Sequence, residues 1–347
     1  MELITLIFLS SGLFLGWSLG ANDAANVFGT AVGTKMVKFS TAAIVCSVMV
    51  ILGAVISGAG ASHTLGKLGS ISALGGAFTV ALSAALTVYW MTKASLPVST
   101  SQAIVGAIIG WNLFSNTETD PAVLTKIVST WIICPLLSAV VAVGLYRMVR
   151  GILRHAKLGM FQLDGFTRIS LILAGAFGSY SLGANNIANV MGVFVPQSPF
   201  SSFDVLGYEF TSTAQLFLLG SIAIGVGVFT YSKRVMSTVG DGLITLTPVL
   251  AWVVVMSHSI VLFIFASQGL KNWLIGHGLP SLPLVPVSSS QAVIGAVVGI
   301  GLYRKVDIRW QVLGRIVSGW VATPVIAMIV CGFALFVVKN LFQQQVM

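Results

Sequence analysis

Long apolar runs alternate with short polar interruptions along the whole chain. The runs 3–34, 39–59, 71–94, 124–149, 169–195, 214–231, 243–266 and 312–338 are each long enough to cross a bilayer as a helix. Two further pieces, 103–113 and the one ending at Tyr303, are too short to span alone. Each short piece is preceded by a Pro-Val-Ser element, Pro97-Val98-Ser99-Thr100-Ser101 and Pro286-Val287-Ser288-Ser289-Ser290. Stretches 196–209 and 268–284 read as loops, as does the segment holding His63 and Lys67. Polar residues also interrupt two of the long runs. Gly20-Ala21-Asn22-Asp23-Ala24-Ala25-Asn26 lies inside the first, and Gly183-Ala184-Asn185-Asn186-Ile187-Ala188-Asn189 inside the fifth. Gly, Asn and Asp are weak helix formers, so both helices are expected to break there.

The landmarks recur in order. The Gly-Ala-Asn motif repeats at an offset of 163 residues, and the Pro-Val-Ser element at an offset of 189. Trp131 and Pro135 match Trp320 and Pro324, again 189 apart. Around these pairs Ser101-Gln102-Ala103-Ile104-Val105-Gly106-Ala107 parallels Ser290-Gln291-Ala292-Val293-Ile294-Gly295-Ala296. The chain therefore divides into two related halves, 1–150 and 167–347, joined by a basic linker over 151–166.

Composition sharpens the class. Of 347 residues 56% are hydrophobic and 8% charged, and mean hydropathy is +0.98. A soluble domain carries about a quarter charged residues, so this is an integral membrane chain in contact with lipid. The net charge of +9 does not point to nucleic acid, because the basic residues sit in short clusters between spans. If the clusters at Lys35/Lys38, 147–168, Lys233/Arg234 and 304–309 are cytoplasmic, the acidic loops at Glu118/Asp120 and Asp204/Glu209 fall outside. The first half then enters from outside and the second from inside, an inverted-topology repeat, with both termini outside. Glu2 in place of a basic n-region argues against a cleaved signal peptide. Cys46, Cys134 and Cys331 lie in apolar segments and read as buried small residues.

The repeated motifs carry the candidate chemistry. The N-terminus of a short helix offers unpaired N–H groups and a positive dipole end, which suits an anion. An unwound segment with the Asp23 carboxylate and Asn oxygens suits a hard cation such as Na+. A buried Asp is expensive unless paired, which makes Asp23 a candidate coupling site for Na+ or H+. Plainer readings exist for several residues. The Pro-adjacent serines can be caps that repair a kink. Lys93 fits a snorkelling side chain. His258 fits either a satisfied interhelical bond or a proton relay. Asp241 fits a helix N-terminal charge or part of the site. No zinc-ligand pattern, catalytic pair or cofactor motif is present, so an enzyme is not expected. An anion channel would not need Asp23 buried beside an anion cage.

The duplicated Gly-Ala-Asn motif, the two Pro-Val-Ser elements and the Lys233 to Gly240 stretch resemble the inorganic phosphate transporter family over about residues 5–340. The resemblance implies an all-α polytopic membrane protein with two inverted-topology repeats, broken first helices and two re-entrant helical hairpins. It implies cation-coupled symport of inorganic phosphate by alternating access, and the short loops favour the inner membrane of a prokaryote. Phosphate would meet Asp23, Asn26, Ser99, Thr100, Ser101, Asn186, Asn189, Ser288, Ser289 and Ser290. Na+ would meet Asn22, Asp23, Asn26, Asn185 and Asn189, with H+ the alternative coupling ion. The chain departs from the family at Asn186, where Asp is usual, and at Gln102 and Gln291, where His is usual. These departures keep sulfate open as the transported anion. A homo-oligomer is also left open.

Overall fold

The computed structural model describes residues 3–69, 71–94, 98–155, 159–205, 207–239 and 246–347. Pro97, Lys157, Gly240 and Asp241 lie outside them. Among the described residues seven helices are long and apolar enough to cross a membrane. They are α1 (Leu3–Gly33), α2 (Phe39–Ser57), α4 (Leu74–Lys93), α6 (Pro121–His155), α8 (Ser212–Thr230), α10 (Pro248–Ala266) and α13 (Trp310–Asn340). Helix α7 (Met160–Met191) is equally long, and α5 (Thr100–Ser115) and α12 (Ser289–Arg304) are the two short pieces.

Three expected loops hold more structure than the sequence pattern suggests. A short helix α3 (Ala59–Gly66) carries His63, and α11 (Gln268–Gly276) fills the start of the 268–284 stretch. A 3-10 turn (Gly192–Gln197) and a small antiparallel pair, β1 (Phe203–Val205) and β2 (Tyr208–Phe210), occupy the third. The linker is also shorter than 151–166, because α6 runs to His155 and α7 starts at Met160.

The expected breaks in α1 and α7 do not occur. Both helices run unbroken through their Gly-Ala-Asn motifs. Local propensity costs at most about 1 kcal/mol per residue, whereas each backbone group left unpaired in lipid costs several. Tertiary packing tips the balance further. Gly20 lies so close to α8 that a Cβ there would overlap the Ile224 carbonyl oxygen. Its counterpart Gly183 meets the Val50 carbonyl of α2 in the same way. The carbonyls that an unwound segment would free for a cation are therefore bonded within the helices.

These contacts come in matched pairs. Gly20 on Ile224 and Gly227 on Trp17 join α1 to α8. Gly183 on Val50 and Gly53 on Tyr180 join α7 to α2. Gly106 packs on the Pro324 carbonyl of α13, and Gly295 on the Pro135 carbonyl of α6. The halves thus interlock, each short helix seated on the proline-bearing helix of the other half.

The ends of the molecule sort by charge. Arg150, Arg154 and Arg304 surround one cavity, and Lys233 lies 5.8 Å from the Phe39 ring, beside Lys38. At the other end Trp111 donates to the Val346 carbonyl, and Gly75 meets the Gln345 carbonyl. Asn112 donates there to Leu68 and Thr119. Helices α4 and α5 therefore open at the end that holds the C-terminus and the Glu118/Asp120 loop. Helix α12 instead ends beside Thr247, the N-cap of α10, at the basic end. The two helix pairs, α4 with α5 and α10 with α12, thus open at opposite ends.

Candidate functional site

The middles of α1 and α7 converge on the N-termini of α5 and α12. Each short helix starts with a capping serine, as its sequence predicts. Ser99 Oγ accepts from the Gln102 amide at 3.3 Å, and Ser288 Oγ accepts from the Gln291 amide at 3.3 Å. The two tips then reach across to each other. Ser101 donates to the Val287 carbonyl at 3.1 Å, and Ser290 donates to the Val98 carbonyl at 3.3 Å. This reciprocal pair follows directly from the duplicated sequence.

The motif on α7 clasps both tips. Asn185 Nδ2 donates to the Val285 carbonyl at 3.1 Å, and its Oδ1 accepts from the Val287 amide at 2.8 Å. Both polar ends of Asn185 thus hold the second tip. Asn189 Nδ2 donates to Ser101 Oγ at 2.8 Å and to Asn186 Oδ1 at 2.9 Å. On α1, Asn22 Nδ2 donates to Asp23 Oδ1 at 2.8 Å, and Asn26 Nδ2 donates to Ser289 Oγ at 3.2 Å. Asp23 and Asn26 are three residues apart and share a helix face. Every expected site residue therefore lies in or beside one cluster. Asp23, Asn185, Asn186, Asn189, Ser99, Thr100, Ser101, Ser288 and Ser289 are buried, whereas Asn22, Asn26 and Ser290 are half-buried. The site is closed over, with its more open side at the second tip.

His258 joins this cluster from α10. Its Nε2 lies 2.9 Å from Ser289 Oγ, and the residue is fully buried. Nothing in the sequence marks it beyond a lone histidine in an apolar run. Helix α4, which precedes the first tip as α10 precedes the second, carries no histidine. The second half thus carries a titratable group that the first lacks, while the first carries Asp23 where the second has Asn186.

Hydrogen-bond accounting fixes what the site offers. The Nδ1 atom of His258 is buried without a partner. A buried lone pair without a donor costs less than a buried N–H without an acceptor, which assigns the proton to Nε2. His258 then donates to Ser289. With Asn26 donating as well, both lone pairs of Ser289 are filled, and its own proton is left for an acceptor from outside the protein. Thr100 Oγ1 and Asn186 Nδ2 are buried without partners, and so is the acceptor Asn189 Oδ1. Gln102 Oε1 and Gln291 Oε1 are orphaned in the same way. Folded proteins leave few such atoms unpaired, so their concentration at the site marks a ligand position. Both hydrogen-bond donors and acceptors are on offer.

The remaining candidates are placed as follows. Lys93 ends α4, exposed, 5.0 Å from the Tyr89 ring, as a snorkelling residue would be. The three cysteines are buried and unpaired, and Cys134 Sγ sits 3.8 Å from the Ser288 carbonyl. No cluster of three His, Cys, Asp or Glu occurs among the described residues. The oxygen-rich set around Asp23 suits a hard cation instead.

The phosphate transporter family model matches residues 19–331, which include both motifs and both tips. The chain belongs to the phosphate transporter family. Members are transporters, and this chain is an integral membrane transporter rather than an enzyme. Among curated relatives, a "Putative phosphate permease" of Methanocaldococcus jannaschii is 27% identical over 320 residues, covering 91% of this chain and 92% of its own. One of the same description from Pyrococcus furiosus is 27% identical over 414 residues, covering 95% of each. A solved structure described as "The sodium-dependent phosphate transporter" has the same fold. Its TM-score is 0.77 at 22% identity, covering 97% of this chain and 99% of that one.

Proposed function

We propose that the chain carries inorganic phosphate inward across a prokaryotic cell membrane, coupled to Na+, by alternating access of the two interlocked halves. The basic end faces the cytoplasm in this reading, and the acidic loops and both termini face outside. The family assignment supports phosphate, and so do the printed names of the relatives. The solved neighbour's name supports Na+.

One observation favours phosphate over sulfate. The site offers an unpartnered buried acceptor, Asn189 Oδ1, beside hydroxyl and amide donors. Sulfate is acceptor-only at neutral pH and would leave that oxygen unmet. Hydrogen phosphate has a P–OH group to donate, and its remaining oxygens accept from Ser289, Thr100 and Asn186. A site built to pair a substrate's O–H discriminates strongly against an analogue lacking it.

Na+ supplies charge compensation for the buried anion. Asp23, with Asn22 and Asn26 beside it, would hold the ion on the α1 side. Because the tips bind one another through Ser101 and Ser290, substrate and ion arriving together would alter the junction between the halves. Opening to either side would follow from changes at that junction. Asp23→Asn tests the coupling in proteoliposomes. Na+-driven accumulation of labelled phosphate should be lost while the folded protein is retained. Concentrative uptake near the wild-type rate would sink the role given to Asp23.

A further inference from the structure

A second cluster of positive charge lies away from the transport site, at the basic end. Arg150 and Arg154 from the last turns of α6 and Arg304 from the end of α12 line a cavity of about 360 Å³ with Tyr146, Thr247 and Leu250. Among the described residues none of the three arginines forms an ion pair. The cavity also meets the N-terminus of α10, where Thr247 Oγ1 accepts from the Leu250 amide at 3.4 Å and Pro248 supplies no N–H. That helix end adds a positive dipole to three guanidinium charges.

Arg304 is held by its aromatic neighbours. Arg304 lies 5.8 Å from the Tyr146 ring, and Tyr146 meets Tyr303 edge-on at 5.9 Å. Arg147 in turn lies 5.7 Å from the Tyr303 ring. A guanidinium stacked by its face keeps its N–H edge free to grip a phosphate with two parallel bonds.

The neighbouring surface says what brings the phosphate. Along α6, Ile132, Leu136, Val140, Met148 and Ile152 are exposed at 64%, 62%, 69%, 50% and 59%. They follow one another at four-residue steps, with Gly144 between, and since each step advances about 40° they wind as an apolar ridge around the helix. Arg150 and Arg154 follow Ile132 and Leu136 by about five full helical turns, so they share their side of α6. An apolar face of span length ending at a basic pocket fits a lipid whose acyl chains follow α6 and whose headgroup enters the cavity.

We propose that this cavity is a binding site for an anionic phospholipid headgroup at the basic face, separate from the transport site. The arginines bind the phosphodiester, and a zwitterionic headgroup is disfavoured because it brings a cation into the same cavity.

The purified full chain is titrated with phosphatidylglycerol, phosphatidylcholine or inorganic phosphate, and bound lipid is counted by native mass spectrometry. The wild type should retain phosphatidylglycerol about tenfold better than phosphatidylcholine. Arg150→Ala/Arg154→Ala/Arg304→Ala should lose that preference. The triple lysine variant keeps the charge but loses the fork and should retain an intermediate share, which serves if the alanine variant does not fold. Equal retention of both lipids by the wild type would overturn the proposal, as would a preference that survives in the triple alanine variant. Displacement of phosphatidylglycerol by millimolar inorganic phosphate would assign the cavity to the free anion and overturn the lipid assignment.

Discussion

Removing His258 should weaken phosphate binding, and the sign of that effect tests the hydrogen-bond assignment at the second tip. Ser289 Oγ lies 2.9 Å from His258 Nε2 and accepts from Asn26 at 3.2 Å. If Nε2 carries the proton, His258 fills one Ser289 lone pair and pins the hydroxyl as a donor to the anion. His258→Leu then leaves that lone pair unfilled and lets the hydroxyl rotate. One net hydrogen bond is worth about 1 kcal/mol, which is roughly a fivefold rise in KM. Leucine also removes the unpartnered Nδ1, so thermal stability should hold. His258→Gln restores an N–H at similar reach and should bring KM back to within about twofold of wild type. Initial rates of labelled phosphate uptake at saturating Na+ give KM for each variant. The opposite tautomer would have Ser289 donating to His258, and His258→Leu would then release that proton and lower KM. A lowered or unchanged KM in His258→Leu would refute the assignment.

Two other substitutions probe the asymmetry and the interlock. In Asn186→Asp the bond from Asn189 to Oδ1 can persist, while the unpartnered Nδ2 becomes a carboxylate oxygen. The Na+ Hill coefficient of phosphate uptake should rise, and an unchanged value would mean that this position holds no cation. Gly106→Ala and Gly295→Ala place a methyl against the Pro324 and Pro135 carbonyl oxygens, backbone atoms that cannot swing aside. Each should destabilise by about 1–3 kcal/mol in a detergent melting assay, whereas Gly144→Ala, with open space around it, should not. Equal melting of all three would argue against the matched packing of the halves.

The duplication was legible in the sequence because it preserves residue types that do the same local work twice. Ser99 and Ser288 cap, Ser101 and Ser290 cross to the other tip, and Gly106 and Gly295 admit a proline carbonyl. Those tasks depend on short-range geometry, which a motif encodes. The continuity of α1 and α7 was not legible, because propensities measured in water undervalue a closed backbone ladder in lipid. The drift in repeat offset is physical too. The strand pair before α8 and the α11 segment after α10 are additions to the second half. The partner of His258 and the clasp made by Asn185 were hidden for another reason. Ser289 and the Val285 and Val287 backbone lie 31 to 102 residues away, and no local pattern ties them together.

The central claim is that the closed cluster around Asp23, Ser289 and Asn189 takes up hydrogen phosphate with Na+. Purified protein in liposomes is given an inward Na+ gradient with labelled phosphate or labelled sulfate outside. The account predicts uphill accumulation of phosphate that collapses when Na+ is equal on both sides, with sulfate accumulation far lower. Equal accumulation of sulfate, or phosphate uptake indifferent to the Na+ gradient, would contradict it.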